Sequence, residues 1–111
     1  MIEVKQGDYG FDLTFEIKNS DGSEFDLDGY TATLKVWKQD GTILFSGACD
    51  IDNASEGLCH YNIQSGDFDT LDNPQLSGIT RYSDYVAEIE LTKSGVILST
   101  PSFIIRVWES E

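Results

Sequence analysis

Three segments of this chain alternate apolar and polar residues, and each is followed by a turn that contains glycine. The segments are residues 11–17, 32–36 and 85–91, and the turns are Asp21-Gly22, Asp40-Gly41 and Ser94-Gly95. In the first segment Phe11, Leu13, Phe15 and Ile17 alternate with acidic or hydroxyl residues. Because successive side chains of a strand point to opposite faces, such a segment covers a core only as β structure. The pattern therefore predicts strands with one buried face.

Turn residues divide the chain into seven or eight predicted strands, and no long amphipathic helix interrupts them. This spacing favours a single domain, residues 1–111, folded as an immunoglobulin-like antiparallel β-sandwich. We expect the weakly patterned residues 66–83 to form a long connection with one helical turn. Pro101 is expected to mark an edge or a bulge in the last strand, since it cannot donate to a ladder. The predicted fold class is all-β.

One short piece, residues 82–87, resembles the start of strand F of immunoglobulin domains. Tyr85 lies two residues before the inward position Ala87, and a tyrosine at this place caps a corner of the sandwich through its hydroxyl group. Ala87 replaces the usual cysteine, however, and Trp37 has the opposite parity to Leu34 and Val36. We therefore expect an immunoglobulin-like topology without the antibody core.

Acidic residues dominate the charge, with 20 Asp and Glu against seven Lys and Arg, a formal net charge of -13. This charge repels phosphate backbones and anionic lipid surfaces, so nucleic acid is not an expected partner. No apolar run approaches the roughly 20 residues of a membrane span, and membrane insertion is not expected. Acidity also keeps a β-rich protein soluble and blocks pairing between sheet edges, which is the alternative explanation for the charge.

Two cysteines lie ten residues apart around the turn-like residues 52–57. If residues 43–51 and 58–63 form a hairpin centred near Ala54, Cys49 and Cys59 lie directly across from each other, within reach of a disulfide. The N-terminus has no basic region followed by a long apolar one, so no export signal is expected. This favours the alternative, which is two small buried thiols in a reducing cytosol.

The residues that could carry chemistry form no complete motif. His60 is the single histidine and no Gly-x-Ser-x-Gly segment occurs, so no catalytic residue is predicted. Asp50 and Asp52 begin like a calcium loop, but Ala54 stands at position five and Tyr61 replaces the bidentate glutamate. A loop with three acidic residues could hold a cation, although solvated carboxylates are the favoured interpretation: Asp67, Asp69 and Asp72. The sequence thus predicts no cofactor and no metal site.

Four aromatic residues fall outside the predicted core, by parity or by their place in a loop: Tyr30, Trp37, Tyr82 and Trp108. Exposed aromatic side chains on a strand face or rim are typical of surfaces that pack against a partner protein. The alternative is that these residues cap the ends of the sandwich. They are the candidate interface residues of this chain.

The order of several short motifs resembles the N-terminal domain of phage baseplate upper proteins. The resemblance covers most of the chain but fails between about Cys49 and Tyr82, and its elements are structural. The motifs are Lys5-Gln-Gly-Asp8, Leu13-Thr-Phe-Glu-Ile17, Ser20-Asp-Gly22, Phe25-Asp-Leu-Asp-Gly-Tyr-Thr31, Leu34-Lys-Val36, Tyr85-Val-Ala-Glu-Ile-Glu-Leu91 and the closing strand Phe103-Ile-Ile-Arg-Val107.

This resemblance implies a non-catalytic structural or adaptor protein of the phage particle, with an immunoglobulin-like sandwich and no catalytic residues to carry over. It implies docking onto other tail, baseplate or capsid proteins, often as several copies around a symmetry axis, and a place in the virion after assembly in the host cytoplasm. In the family this domain usually heads a longer chain, so we expect either a piece of such a chain or a small adaptor. Two other functions stay open, a carbohydrate-binding module and a capsid-decorating immunoglobulin-like domain.

Overall fold

The computed structural model describes residues 1–110, which form nine β-strands and one short 3-10 turn, Ala54–Glu56. The all-β prediction is confirmed. The strands outnumber the predicted seven or eight because a short strand forms within residues 66–83 and because the last predicted strand is divided near Pro101. The strands are β1 Ile2–Lys5, β2 Asp12–Glu16, β3 Thr31–Trp37, β4 Ile43–Asn53, β5 Leu58–Asn62, β6 Gln75–Ser77, β7 Thr80–Lys93, β8 Val96–Ser99 and β9 Phe103–Trp108.

The strands form one curled sheet in the order β1-β9-β7-β3-β4-β5-β2, and β6 and β8 also pair with β7. The long strand β4 belongs to both halves of the curl, because its first part pairs with β3 and its last part with β5. The larger layer contains β1, β9, β7 and β3, and the smaller layer contains β5 and β2. The two layers face each other as a sandwich, and the rings of Phe15 and Phe103 meet between them with centroids 5.6 Å apart.

Strand β1 departs from the predicted antiparallel arrangement, because it runs parallel to β9. In this register Val4 lies opposite Val107, and both side chains are buried on the inner face. The pairing continues past the strand, where the amide of Gln6 donates to the carbonyl of Trp108 at 2.7 Å. Alternation shows which side chains of a strand point inward but not the direction of its neighbour, so the sequence pattern could not predict this pair.

The core lies between the two inner faces and follows the alternation of the sequence. Leu13, Phe15 and Ile17 are buried, and the same parity buries alternate residues of β3, β7 and β9. Phe11 was expected among them but is 39% exposed, which corrects that expectation. It precedes the first residue of β2, at the rim of the sandwich, where the ladder with β5 ends.

Residues 66–83 contain less irregular structure than predicted, because β6 and the start of β7 lie among them. Strand β6 turns through Gly78 and Ile79 into β7, which begins at Thr80. No helix forms within residues 66–83, although residues 65–68 make a hydrogen-bonded turn in which the Asp67 amide donates to the carbonyl of Gln64 at 3.1 Å. The single 3-10 turn lies instead at Ala54–Glu56, where the Asn53 side chain accepts from the Glu56 amide at 3.3 Å and Gly57 adopts a left-handed conformation with φ of 70°. No helix within residues 1–110 has the length and apolarity needed to cross a membrane.

Pro101 marks a bulge, which is one of the two features, an edge or a bulge, that the sequence predicted for it. The amide of Thr100 donates to the carbonyl of Ile89, whereas Phe103 lies opposite Ala87. Two residues between β8 and β9 therefore face the single residue Glu88 of β7, which is the definition of a β-bulge. Strands β8 and β9 are consequently two parts of one line of chain beside β7.

The hairpin of β4 and β5 forms as predicted, but the two cysteines are not directly opposite. Cys59 pairs with Ile51 and Cys49 pairs with Ala32 of β3, because the hairpin is centred one residue beyond Ala54. Both thiols are free, with Cys59 buried and Cys49 half-buried. A hydrogen bond with Cys59, together with burial, raises the pKa of the Cys49 thiol. The structure thus agrees with two small thiols in the core.

Candidate docking surface

The outer face of the larger layer is the site of three of the four predicted interface residues. Along β7 and β9 the inward side chains are buried, whereas the outward ones are half-exposed, and no other described strand covers them. This part of the surface is called the aromatic face below. It consists of Trp37, Tyr82, Val86, Ile104, Arg106 and Trp108.

An apolar row crosses three strands of the aromatic face. Trp37 of β3 lies opposite Val86 of β7, and Val86 lies opposite Ile104 of β9. Ile43 of β4 pairs with Trp37 and is 52% exposed, so it extends the row by one strand. Side chains that face each other across neighbouring strands on one face are in contact distance, so the row forms a continuous apolar strip.

Beside this row, two aromatic rings and one guanidinium group form a compact cluster. Tyr82 and Trp108 face each other on β7 and β9, with ring centroids 5.0 Å apart. The guanidinium carbon of Arg106 lies 4.0 Å from the centroid of Tyr82 and 5.6 Å from that of Trp108. Such stacking of arginine on aromatic rings is favourable and holds the three side chains together.

Two acidic residues fix the orientation of this cluster. Arg106 donates from Nε and Nη2 to the two carboxylate oxygens of Asp84 at 2.8 and 3.0 Å, a bidentate pair that raises the pKa of the guanidinium. The indole Nε1 of Trp108 donates to Glu3 at 3.3 Å. Because a bidentate pair restrains the planar guanidinium group, these side chains lose less freedom when a partner binds. The cluster is therefore preorganised for contact.

The fourth predicted residue, Tyr30, lies elsewhere and corrects the expectation that it stands away from the core. Its ring packs against the core, edge-on to Phe25 with centroids 5.4 Å apart. The Nζ atom of Lys93 lies 5.0 Å from the ring centroid. Burial of this loop against the core follows from tertiary packing, which parity within a strand cannot predict.

Sequence reasoning missed three members of the aromatic face. Arg106 shares the parity of Trp108 two residues away, and this signal was sufficient to find it. Val86 and Ile104 have the outward parity as well, since Val86 follows the inward Tyr85 and Ile104 lies two residues before Arg106. Only the register of β3, β7 and β9, which the sequence does not contain, places them opposite each other and beside Trp37.

The single histidine makes a cluster with carboxylates rather than with a nucleophile. The Nδ1 atom of His60 lies 2.8 Å from Asp52, and Nε2 lies 3.5 Å from Asp50 and 4.0 Å from Asp12. The hydrogen bond with Asp52 and the surrounding carboxylates raise the pKa of the imidazole. Each of these contacts joins β5 to β2 or to β4, so the cluster fastens neighbouring strands to each other.

The acidic loop residues do not converge on one point. Asp67 accepts hydrogen bonds from the hydroxyl of Tyr61 and the amide of Gln64, while Asp72 accepts from the hydroxyl of Tyr85. No group of three or more histidine, cysteine or acidic side chains within residues 1–110 is arranged to hold a metal ion. The loop carboxylates therefore act in these described contacts as acceptors for tyrosine hydroxyls.

Comparison with known proteins identifies a family and a fold. A family model described as the BppU N-terminal domain matches residues 1–111, the whole length of the chain. Among solved structures, the chain is similar to CopC from Methylosinus trichosporium OB3b, with 10% sequence identity and a TM-score of 0.50 over 99% of this chain and 85% of that chain. At this identity the likeness shows a shared fold and nothing more. No match was found among curated proteins.

Proposed function

Because the chain belongs to the family of BppU N-terminal domains, which are structural domains of phage baseplates, we propose that it acts by docking onto other tail or baseplate proteins without catalysing a reaction. The proposed place of action is the phage particle, after assembly in the cytoplasm of the host. The observation that carries the docking role is the preorganised cluster of Tyr82, Arg106 and Trp108. Its function is to present a contact surface, which requires shape and chemistry but no reacting group.

The composition of the aromatic face supports this proposal. Protein interfaces are enriched in tyrosine, tryptophan and arginine, and these residues carry most of the binding energy measured in such contacts. Here one residue of each type lies within a single cluster, beside the apolar row of Trp37, Val86 and Ile104. A partner that covered both parts would bury an apolar centre with a charged rim.

The charge of the chain indicates the chemistry of the partner. With 20 acidic and seven basic residues, the chain carries a field that attracts a basic surface and repels an acidic one. On the aromatic face, Arg106 is already paired with Asp84, so its charge does not oppose a basic partner. We therefore propose a docking partner whose matching surface is apolar at its centre and rich in lysine or arginine at its rim.

Photo-crosslinking within assembled particles tests this docking surface. Particles are assembled with chains in which p-benzoylphenylalanine replaces Trp37 or Trp108, then purified and irradiated. The matched control carries the same group in place of Tyr9, an aromatic residue that is 61% exposed in the loop between β1 and β2. We expect crosslinks to another virion protein from positions 37 and 108 and none from position 9.

Each part of the proposal can fail separately in this experiment. Absence of the chain from purified particles would overturn the virion role. Crosslinks from position 9 with none from positions 37 and 108 would overturn the aromatic face as the docking surface. Crosslinks from these two positions to further copies of the same chain would replace docking onto another protein by self-association.

A further inference from the structure

Two strand edges of the sandwich have no partner strand, and both line the same groove. Strand β2 ends the sheet order, and it pairs with β5 on one side only. Strand β8 pairs with β7 on one side, and on its other side β1 does not reach it, because β1 pairs with residues 105–108 of β9. The groove is therefore the seam at which the curled sheet does not close.

Backbone groups of both edges point toward this seam. Ile17 donates to Gly57 and Ile63 donates to Phe11, so residues of odd number in β2 bond to β5. In an antiparallel ladder the alternate residues then direct their N–H and C=O groups to the free side, which applies to Thr14 and Glu16.

The same argument applies to β8. Because the Thr100 amide donates to Ile89, Leu98 bonds toward β7, and the backbone groups of Ile97 and Ser99 point away from it. Each edge thus offers unpaired donors and acceptors at alternate residues.

The groove between the edges has an apolar floor. Its main cavity measures about 450 Å³, and both Glu16–Ile17 of one edge and Leu98–Ser99 of the other line it. Phe25 and Leu91 complete the apolar part. An adjoining cavity of about 240 Å³ shares Glu16, Ile17, Thr100 and Pro101 and continues the groove along the bulge. Backbone groups on both sides and an apolar floor are the features that accept an extended chain.

Strand β8 also lacks the protection that exposed edges usually have. Val96, Ile97 and Leu98 are 37%, 73% and 40% exposed, and no charged residue lies within β8. Natural edge strands are commonly protected by charges, by proline or by a covering segment, because an uncovered apolar edge pairs with other chains. The edge of β8 is therefore suited to binding a strand.

We propose that the groove between β2 and β8 binds an extended segment of another protein as an added β-strand, with apolar side chains at alternate positions and basic residues at its ends. Charge selects this occupant over a second copy of the chain, since a copy would bring a further net charge of -13 to the interface. The alternating apolar residues fit the floor of Ile17, Leu91 and Leu98. Glu16 is already paired with Lys18 at 3.0 Å, so the basic ends match the acidic field of the whole chain rather than this one carboxylate. The groove is separate from the aromatic face. The proposal depends on the docking function in one respect, namely that the partner is a protein of the phage particle.

A peptide-binding measurement tests the added strand directly. The probe is a fluorescein-labelled peptide of sequence KKVTVTVKK, and its binding to the chain is followed by fluorescence anisotropy. The variant Ile97→Pro removes one donor at the free edge without removing a bond to β7, and proline is tolerated at such positions. We expect this variant to bind the peptide about tenfold more weakly, because it loses one hydrogen bond at the edge and weakens the adjacent ones.

Matched controls distinguish pairing with the strand edge from non-specific hydrophobic binding. The variant Ile79→Ser removes an apolar side chain that is 93% exposed in the β6–β7 turn and should bind the probe unchanged. A peptide of the same sequence with an N-methyl group on each residue of its central VTVTV segment has lost the central donors of both its edges and should not bind. Hydrogen exchange at Thr14, Glu16, Ile97 and Ser99 should slow when the probe binds, which reports the site even if a variant is unstable.

Three results would overturn the proposal. These are equal affinity for the N-methylated peptide, equal binding by Ile97→Pro when that variant is folded, and unchanged exchange at the four edge amides. If the chain without peptide forms a dimer, and the substitution Ile97→Pro dissociates that dimer, the occupant of the groove is a second copy of the chain rather than a basic segment. None of these results bears on the presence of the chain in the particle, so failure of the strand proposal and failure of the docking function are distinguishable.

Discussion

The hydroxyl group of Tyr85 ties the segment between β5 and β6 to the core. It donates to the carboxylate of Asp72 at 2.8 Å, lies 2.9 Å from the carbonyl of Thr70, and accepts from the Asp72 amide at 3.3 Å. The ring is 1% exposed. Burial and the neighbouring carboxylate raise the pKa of this phenol to about 12, so it stays protonated at neutral pH. The role predicted for Tyr85 in the sequence, that of capping a corner, is confirmed.

Replacement of Tyr85 by phenylalanine should destabilise the protein by about 1–3 kcal/mol, because it removes the hydrogen bonds of the hydroxyl, including the one to the carboxylate of Asp72. The measurement is the urea midpoint and slope of unfolding. The control is Tyr82→Phe, whose hydroxyl bonds the side chain of Gln75 at an exposed site and should change stability by less than about 0.5 kcal/mol. Equal effects of the two substitutions would contradict the capping role.

A second residue that the packing of the core requires is Gly47, which lies on the inner face of β4 beneath the ring of Tyr61. A Cβ atom built at this position would lie 2.3 Å from Cε1 of Tyr61 and 2.9 Å from its hydroxyl oxygen. The ring cannot move freely, because it is buried and its hydroxyl donates to Asp67 at 2.5 Å. Glycine is therefore required here by close packing rather than by a turn.

The substitution Gly47→Ala should cost about 1–3 kcal/mol of unfolding free energy through overpacking. The neighbouring substitution Ser46→Ala, on the exposed side of the same strand, should have little effect and serves as the control. Both are compared by thermal and urea unfolding. A Gly47→Ala variant as stable as the parent would show that the ring of Tyr61 has more room than the structure gives it.

At the scale of elements, His60 connects three strands. Its imidazole belongs to β5 and faces Asp12 of β2 and both Asp50 and Asp52 of β4. A cation on β5 lies between carboxylates of β2 and β4, so protonation of this one side chain relieves the repulsion between those two strands.

Stability should therefore depend on pH through His60. The pKa of His60 in the folded protein is raised above the ordinary value of 6.5. The stabilisation by the protonated His60 is therefore fully present below pH 6.5 and is lost as the pH rises through the folded pKa. We expect the difference in unfolding midpoint between the parent and His60→Gln to be largest near pH 5.5 and to shrink toward about pH 8. A difference that is constant over this interval would show that His60 stabilises the strands only as a neutral hydrogen-bonding group.

At the scale of the whole molecule, β7 sets the length and separates the two surfaces. Its 14 residues span about 45 Å at roughly 3.3 Å per residue. This length matches the longest axis of the molecule, which measures 44 × 26 × 23 Å along its three principal axes. Tyr82 and Val86 of the aromatic face lie toward its start, whereas Ile89 and Leu91 of the groove lie toward its end and point to the other side. A partner on the aromatic face thus leaves the groove uncovered.

The net charge of the whole chain makes a prediction about nucleic acid. With a net charge of -13 and several basic side chains already paired with carboxylates, we expect no binding to duplex DNA at physiological salt. A gel mobility shift with a basic DNA-binding domain as positive control measures this. A shift by the chain that weakens as salt is added would show a local basic surface that dominates the overall charge.

Local patterns in the sequence determined the strand class, the inward parity of β2, β3 and β7, the bulge at Pro101 and the capping role of Tyr85. Each of these depends on covalent geometry with a period of two or on the backbone of one residue, so neighbours along the chain contain the information. The order of motifs also identified the baseplate family, which the match over residues 1–111 confirms.

Only the tertiary structure decided which strands lie side by side. The parallel pairing of β1, the register that separates Cys49 from Cys59, the cluster of Arg106 with Tyr82 and Trp108, and the groove between β2 and β8 all join residues that are distant in sequence. Such contacts depend on how the curled sheet closes and packs, and many registers satisfy the same alternation until one core is formed. The sequence alone therefore determined the scaffold and the family, and the packing of its strands determined the surfaces with which the protein makes contact.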